Sequence, residues 1–322
     1  MMLAETLLIR SAPMWVRVTS SLVRRLPAAR YRAIRAMSGF DTEPFIGALP
    51  RSAGGLRFVC DLRDVIARDV CFTGMYEPQE TSLVNAILRP GDTFVDVGAN
   101  WGYFTLLGAH AVGSGGRVIS LEPDPRLFAM LRAHVDLNDL DQVTCLPTAA
   151  AAESGELTLS GFAEDDGNFG LSRVMASRAD AAAAFVVNAD TLDSTLAAAG
   201  VDQITLLKMD IEGFEAKALR GLDGMLGEQR VEHLIVELHP AYLREHGDDS
   251  QALVRRVLDF GYTAWAIDHS PAATRRAAYS RGDQTMLLRA MHAADALDRW
   301  PHVLFARPRS RVHATIEAGA QI

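Results

Sequence analysis

Lysine is almost absent from this 322-residue sequence, in which only Lys208 and Lys217 accompany 30 arginines. Long apolar runs are absent as well, since none approaches the ~18 uninterrupted residues that a membrane-spanning helix needs. The apolar start, residues 1–10, is short, contains Glu5 and leads to no small-residue cleavage site, so we expect no signal peptide. Hydrophobic residues nevertheless make up 49% of the chain, which predicts a globular protein with a well-filled core.

Cysteine is scarce. Cys60, Cys71 and Cys145 are odd in number, and their spacing matches neither a metal site nor a disulfide framework. Reduced thiols fit these observations best, so we expect a cytoplasmic protein.

Positive charge is concentrated at the start of the chain. Residues 1–40 contain seven arginines and one acidic residue, Glu5, and so carry a formal charge of +6. Because the whole chain carries −8, the remainder carries −14. Affinity for nucleic-acid backbones comes largely from Lys and Arg, so we expect no nucleic-acid partner for this acidic body.

The arginine-rich start has a helical pattern. Trp15, Val18, Leu22 and Leu26 recur at three- and four-residue steps. We predict a helical extension over residues 1–70 that packs on the core or forms a homodimer through its helices. A basic lid or a membrane-surface helix is the alternative.

From residue 79 onward, apolar segments alternate between strand and helix patterns. A helix face with Leu83, Val84 and Ile87 ends at the turn of residues 90–92. Further helices are predicted near residues 125–138, 215–226 and 250–260. Strands are predicted at residues 93–97, 117–121, 143–146, 204–209, 233–238, 262–267 and 302–306. This alternation predicts an α/β fold, with a doubly wound, mostly parallel sheet and helices on both faces.

Two segments interrupt the alternation. Residues 153–190 contain a predicted hairpin at 156–160 and a polar loop around 165–170, and residues 270–300 are irregular. We therefore predict one domain over residues 71–310 with insertions near 153–190 and 270–300, followed by a tail at 311–322.

A glycine-containing loop follows the strand at residues 93–97. It reads Asp-Val-Gly-Ala-Asn-Trp-Gly-Tyr-Phe over residues 96–104, and Glu122 lies 24 residues beyond Gly98, at the end of the next strand. Glycine allows the backbone to approach a ligand closely. An acidic side chain at the position of Glu122 can accept hydrogen bonds from both ribose hydroxyls of a nucleoside.

Two nucleoside cofactors have to be distinguished. A dinucleotide site reads G-x-G-x-x-G and holds a pyrophosphate on helix amides. Here the spacing is G-x-x-x-G, and Asp96 precedes the loop. A carboxylate at that place repels phosphate but suits the cationic amino group of a methionine moiety. The residues therefore favour S-adenosylmethionine over NAD.

The sequence resembles the FkbM family of methyltransferases over roughly residues 72–270. The resemblance is carried by YEPQE…LRPGDTFVDVGANWGYFT, SLEPDPRLFAMLRAHVDLN, LLKMDIEGFEAKALRGL and IVELHP. It implies a class I, Rossmann-like methyltransferase fold with a seven-stranded sheet. It also implies S-adenosylmethionine as cofactor and O-methylation of sugars, polyketides or related natural products.

The resemblance also implies roles for individual positions. The residues implied to hold the methionine part are Asp96, Gly98, Ala99, Asn100 and Gly102, with Phe104 also expected at the cofactor. Those implied to hold the ribose and to border the adenine are Glu122, Pro123, Ala149 and Ala150. Glu77 corresponds to a glutamate that closes over the cofactor.

Four further acid–base side chains are expected near the transferred methyl group. Asp210 and Glu212 end one strand, and Glu237 and His239 end its neighbour. Ligands of doubly wound sheets bind at the carboxyl ends of the strands, so each of the four is a candidate general base. Purely structural roles are the alternative: Asp210 anchoring the cofactor, Glu212 capping the next helix and Lys208 neutralising both.

A metal ion is a further possibility at this cluster, because carboxylates suit Mg²⁺ or a similar hard cation. The set of metal ligands and the need for a cation stay open at this stage.

Competing functions differ in what the sequence must contain. A nucleic-acid base N-methyltransferase typically carries D/N-P-P-Y/F after the fourth strand, where this chain has MDIEGF. A small-molecule C- or N-methyltransferase stays open, because one fold hosts both. A catalytically silent cofactor-binding partner and a nicotinamide dehydrogenase are disfavoured by Asp96, Glu122 and Asp210.

Overall fold

The computed structural model describes residues 11–24, 34, 43–160, 173–174, 184–279, 287–292, 295, 297 and 301–317. Its strands, numbered along the chain, are β1 (Phe45–Ala48), β2 (Arg57–Cys60), β3 (Thr93–Val97), β4 (Arg117–Leu121), β5 (Val143–Leu146), β6 (Ala149–Ala150), β7 (Gly155–Ser160), β8 (Arg173–Val174), β9 (Ala184–Asp190), β10 (Ile204–Met209), β11 (Val231–Glu237), β12 (Thr263–Ile267), β13 (Leu288–Met291) and β14 (His302–Ala306).

The helices are numbered in the same way. They are α1 (Met14–Val23), α2 (Val65–Thr73), α3 (Pro78–Ile87), α4 (Tyr103–Val112), α5 (Pro125–Leu137), α6 (Leu192–Ala198), α7 (Glu215–Arg220), α8 (Asp223–Gly227), α9 (Pro240–Glu245), α10 (Ser250–Asp259), α11 (Pro271–Tyr279) and α12 (Arg311–Glu317).

An eight-stranded sheet forms the centre of the fold, in the order β13-β12-β14-β11-β10-β3-β4-β5. The pairs β11–β10, β10–β3, β3–β4 and β4–β5 are parallel, whereas β14 runs antiparallel to β11 and β12. The predicted doubly wound, mostly parallel α/β fold is confirmed. The sheet has one strand more than the seven expected, because β13 adds antiparallel to the edge of β12. Its four residues lie in the segment that the sequence left irregular.

Both faces of the sheet are covered. Successive side chains of a strand point to opposite faces, so Phe94 belongs to one apolar core and Val95 to the other. Leu206 and Leu207 on β10 divide in the same way. This two-sided burial explains why the central strands read as continuous apolar runs.

The N-terminal segment is not only helical, which corrects the expected helical extension over 1–70. Besides α1 and α2 it contains an antiparallel hairpin of β1 and β2, joined through Gly54 and Gly55 at φ 77° and 64°. Phe58 of β2 stacks on Trp101 with ring centroids 5.5 Å apart. The division at residue 70 stays a prediction, although this boundary falls within α2.

The region expected as a tail at 311–322 begins with a packed helix, α12. The Arg311 guanidinium donates to the Ile87 carbonyl over 2.7 Å, and Val312 is buried. The predicted insertion at 153–190 contributes β7 and β9, which pair antiparallel in a small second sheet. The polar loop predicted around 165–170 lies outside the described residues. Among the described residues, no helix is long and apolar enough to cross a membrane.

Candidate active site

An open cleft of about 1040 Å³, including the solvent at its mouth, lies at the carboxyl ends of β3, β4 and β10. Its walls include the loop after β3, the acidic end of β4 and the segment after β10. The predicted site residues that line it are Gly98, Ala99, Asn100, Phe104, Glu122, Pro123, Ala149, Ala150, Asp210 and Glu212. Residues that the sequence did not single out also line it, including Tyr76, Trp101, Tyr103, Leu127 and Phe214.

The loop after β3 depends on three residues in the left-handed region: Gly98 at φ 82°, Asn100 at 54° and Gly102 at 102°. A Cβ on Gly98 would lie 2.0 Å from the carbonyl oxygen of Asp210, so only glycine fits there. The Asp210 amide in turn donates to the Val97 carbonyl over 3.1 Å. The two acidic strand ends, β3 and β10, are thereby held side by side.

Glu122 is fixed by the backbone around it. Its carboxylate accepts hydrogen bonds from the Asn100 and Asp124 amides, each over 2.8 Å. Burial raises the pKa of Glu122 to about 8, although these two hydrogen bonds oppose the shift. The side chain thus joins the loop after β3 to the end of β4 and borders the cleft.

Asp96 does not line the cleft. It is only 2% exposed, and its carboxylate accepts a hydrogen bond from the Thr105 hydroxyl over 2.7 Å. Burial raises the pKa of Asp96 to about 6, against the opposing effects of Lys208 and Thr105. Asp96 therefore lies behind the loop. This position differs from the expected one, in which Asp96 contacts the methionine amino group. Glu77 and Gly102 also lie outside the cleft lining.

Lys208 lies at the centre of a buried group of carboxylates. Its ammonium is 3.6 Å from Asp210, 3.8 Å from Glu77 and 4.4 Å from the centre of the Phe104 ring. Burial alone would lower the pKa of Lys208, but the surrounding carboxylates raise it well above its usual value. Lys208 therefore pairs with Asp210, one of the two carboxylates that it was expected to neutralise, and with Glu77 in place of Glu212.

His239 lies among three glutamates, two of which belong to the predicted acid–base set. Its Nδ1 lies 2.9 Å from Glu215, and its Nε2 lies 3.4 Å from Glu212 and 3.6 Å from Glu237. Burial lowers the pKa of His239, but the hydrogen bond to Glu215 and the charges of Asp210, Glu215 and Glu212 raise it to about 9.

Glu237 and His239 stand behind the cleft rather than in its lining. Burial, followed by the charges of Asp210 and Glu77, raises the pKa of Glu237 to about 10. Glu215 was not predicted from the sequence. It lies inside α7, where an acidic residue in the first turn reads as an ordinary helix feature. The expected capping of this helix by Glu212 is not observed, because α7 has no side-chain cap.

A third cluster adjoins this one and was also missed. Glu80 lies 2.8 Å from His269 and 2.9 Å from His302, and His302 lies 3.5 Å from Glu237. The three residues come from distant parts of the chain without any motif spacing, so no sequence signal could have grouped them.

Three groups among the described residues have ligand atoms within 4.8 Å of one another and could hold a metal ion. They are Glu77, Asp210 and Glu237; Asp210, Glu212 and His239; and Glu80, His269 and His302. The second falls within the acid–base set that the sequence gave as possible ligands of Mg²⁺, whereas the first joins Glu77 to two members of that set, Asp210 and Glu237.

Comparison with known sequences identifies the family. The profile of the Methyltransferase FkbM domain matches residues 96–264. The chain belongs to the FkbM methyltransferase family. A curated relative, the 31-O-demethyl-FK506 methyltransferase FkbM of Streptomyces tacrolimicus, is 30% identical over 197 residues, which cover 50% of this chain and 74% of the relative. As an FkbM protein, the chain is an S-adenosylmethionine-dependent methyltransferase, as the sequence predicted.

Solved structures give more distant similarities to this FkbM protein. The methyltransferase FkbM of Methylobacillus flagellatus is 19% identical with a TM-score of 0.41, covering 80% of this chain and 58% of that one. An S-adenosylmethionine-dependent O-methyltransferase of Thermotoga maritima is 13% identical with a TM-score of 0.37, covering 78% of this chain and 72% of that one. The family assignment rests on the sequence matches.

Proposed function

We propose that this FkbM protein transfers a methyl group from S-adenosylmethionine to a hydroxyl oxygen of a small molecule, such as a sugar, a polyketide or another natural product. The observation that carries the proposal is the cleft between Glu122 and the Asp210–Glu212 segment. One end has an acceptor for hydroxyl groups of a nucleoside, and the other has carboxylates suited to accept a proton. The name of the Streptomyces relative likewise describes methylation at an oxygen.

The residues of the cleft fit the cofactor. Gly98 leaves room where a Cβ would collide, Glu122 borders the cleft with a fixed carboxylate, and Ala149 and Ala150 leave an apolar wall of small side chains. Bound S-adenosylmethionine supplies an electrophilic methyl group on a sulfonium. The loop 98–102 and Phe104 would hold the methionine part, and Glu122 and Pro123 the ribose. The buried Asp96 and Glu77 would act from behind through Lys208.

An alcohol must lose its proton during methylation, and the chain offers acceptors at the end of β10. Asp210 and Glu212 line the cleft, which favours them as the groups that meet the hydroxyl. His239 lies 3.4 Å behind Glu212 and, with a pKa raised to about 9, can take a proton from this end of the cleft only as pH rises toward that value. Glu237, whose pKa is raised to about 10, is protonated at neutral pH and fits a positioning role better than that of a base.

The other acceptors to consider are a carbon or nitrogen atom of a small molecule and a nucleic acid. Methylation at carbon or nitrogen of a small molecule would use the same cleft, since fold alone does not set the acceptor. A nucleic-acid acceptor is disfavoured because the chain outside residues 1–40 carries −14. We also propose a cytoplasmic location, in line with three free cysteines.

Incubation with labelled S-adenosylmethionine and a panel of hydroxylated metabolites tests the proposal. We expect a product that gains one methyl group, with the NMR correlations of an O-methyl ether. Glu212→Gln keeps the shape of the side chain but removes the charge that is proposed to accept the proton, so this variant should form the product more slowly. Products methylated only at carbon or nitrogen would contradict the O-methyl assignment, but they would still agree with methyltransferase activity.

A further inference from the structure

The cluster of Glu80, His269 and His302 lies outside the cleft lining and has no part in the proposed methyl transfer. Glu80 comes from the first turn of α3, His269 follows β12, and His302 begins β14. Three elements that are far apart in the chain thus bring two imidazoles and one carboxylate to a single point. Both histidines face the same oxygen, Oε1 of Glu80, over 2.8 and 2.9 Å.

One polar atom of the cluster is buried without a hydrogen-bond partner among the described residues. It is Oε2 of Glu80, a residue that is 0% exposed. The other carboxylate oxygen, Oε1, faces both imidazoles, and Nδ1 of His302 lies within ion-pair distance of it. A buried carboxylate oxygen without a partner is costly, and a cation bound at the cluster would satisfy it.

The other nitrogen of His302 has the carboxyl group of Glu237 as a neighbour. Nε2 lies 3.5 Å from Oε1 of Glu237. A metal-binding histidine usually directs its second ring N–H to a carboxylate or a carbonyl oxygen, which fixes the ring and strengthens the ligand. A carboxyl oxygen of Glu237 can accept this hydrogen bond in either protonation state, with Nδ1 of His302 left for the metal.

We propose that Glu80, His269 and His302 form a binding site for a divalent transition metal of the Zn²⁺ class. Two imidazoles and one carboxylate are a ligand set that suits Zn²⁺. A tetrahedral ion with ligand bonds of about 2.0–2.1 Å separates its ligand atoms by about 3.3 Å. The distances of 2.8 and 2.9 Å to Oε1 of Glu80 therefore have to lengthen by a few tenths of an ångström. The two imidazoles, stacked with ring centroids 4.0 Å apart, also have to turn so that both nitrogens face the ion.

The site is reachable from solvent. The side chain of His269 is 38% exposed, whereas those of Glu80 and His302 are almost fully buried. An ion can enter past His269, and a fourth position would remain for water. The bound ion would join α3, the end of β12 and the start of β14 behind Glu237, so its main effect would be to stabilise this corner of the fold.

Metal titration of the full-length protein tests the site. After removal of metal by a chelator, we expect Zn²⁺ to bind one equivalent here by calorimetry and to raise the thermal unfolding temperature. Co²⁺ should give the visible absorption of a nitrogen- and oxygen-ligated tetrahedral ion. His269→Ala should weaken Zn²⁺ binding at least ~10-fold and remove the cobalt spectrum. Because the side chain of His269 is partly exposed, we expect this variant to fold. His302→Ala should weaken binding and remove the spectrum in the same way.

Two control variants separate the site from other histidines. His292→Ala removes an exposed imidazole outside the cluster and should leave Zn²⁺ binding unchanged. The double variant Glu212→Gln, His239→Asn removes ligands of the neighbouring group and should also leave it unchanged. Loss of Zn²⁺ binding in that double variant, undiminished binding in His269→Ala, or no stoichiometric binding in the native protein would each overturn the proposal. None of these results depends on methyl transfer, so they leave the proposed function untouched.

Discussion

Glu122 is the single side chain on which we expect cofactor affinity to depend most. Glu122→Ala removes charge-assisted hydrogen bonds worth ~1.5–3 kcal/mol each, so the dissociation constant of S-adenosylmethionine should rise at least ~10-fold. Because the pKa of Glu122 is raised to about 8, the accepting carboxylate forms as pH rises, and affinity should increase between about pH 7 and 9.

Calorimetry with S-adenosylmethionine and its demethylated product measures both effects. Glu156→Ala, which changes an exposed acid on β7, is the matched control and should bind normally. An unchanged dissociation constant in Glu122→Ala would mean that the ribose is held elsewhere. NAD should not bind, and equal affinity for NAD would contradict the cofactor assignment.

His239 offers a second prediction at the same scale, through its pH dependence. With a pKa raised to about 9, His239 is protonated at neutral pH and gains basic character only as pH rises. If its imidazole takes the proton, kcat should rise through about pH 9, and His239→Asn should lower kcat by ~10²–10⁴. Glu215→Gln removes the negative charge of the hydrogen-bonded partner that raises this pKa, so the midpoint should move to lower pH.

The pH–rate profiles of the native protein and of these two variants measure the effect. Cofactor affinity should survive in both, because neither residue lies in the cleft lining. A His239→Asn variant with the native pH–rate profile would mean that Asp210 or Glu212 accepts the proton of the hydroxyl. The variants Asp210→Asn and Glu212→Gln would then show which of the two does so.

At the scale of elements, the loop between β3 and α4 should tolerate no side chain at Gly98. Gly98→Ala places a Cβ against the Asp210 carbonyl at a left-handed φ of 82°. We expect a loss of ~1–3 kcal/mol in the free energy of unfolding from the strained backbone, together with at least ~10-fold weaker cofactor binding.

Gly115→Ala is the matched control, since a Cβ there meets nothing within 4 Å. Chemical denaturation and calorimetry of both variants separate the local effect from the general cost of losing a glycine. Equal behaviour of the two variants would show that β3 and β10 can move apart at little cost.

At the scale of the whole molecule, we expect the N-terminal segment and the sheet to unfold together. Phe58 is buried against Trp101, and the His134 ring links the Val59 amide to the Trp101 carbonyl over 2.9 and 2.6 Å. Phe58→Ala should therefore lower the free energy of unfolding of the entire chain by ~3–5 kcal/mol in a single transition.

Val186→Ala changes a side chain of the small sheet in a residue that is 45% exposed, and should cost far less. Two separate transitions by calorimetry, with only the first shifted in Phe58→Ala, would instead support an independent domain at residues 1–70. Dimer formation through the N-terminal helices stays a prediction. Sedimentation analysis of a variant with serine at the exposed positions Met14, Val18 and Leu22 would test it.

The sequence by itself determined the features that depend on near neighbours. The strands 93–97, 117–121, 143–146 and 204–209 were predicted with the bounds observed, because their apolar runs are short and closed by turns or acids. The Gly98–Gly102 loop and the position of Glu122 followed from strand–loop–helix spacing in the same way. The strand β13 and the hairpin of β1 and β2 were missed, since they lie outside the regular strand–helix alternation from which the other strands were predicted.

Only the tertiary structure decided which charged side chains meet. Glu80 and His269 are 189 positions apart and still lie 2.8 Å from each other. Glu215 reaches His239 from another element, and Thr105 turns Asp96 away from the cleft. Such contacts arise where the packing of helices on a sheet brings strand ends and loops together. Their geometry depends on the register of the whole sheet, whereas the cofactor loop depends on the conformations of a few adjacent residues.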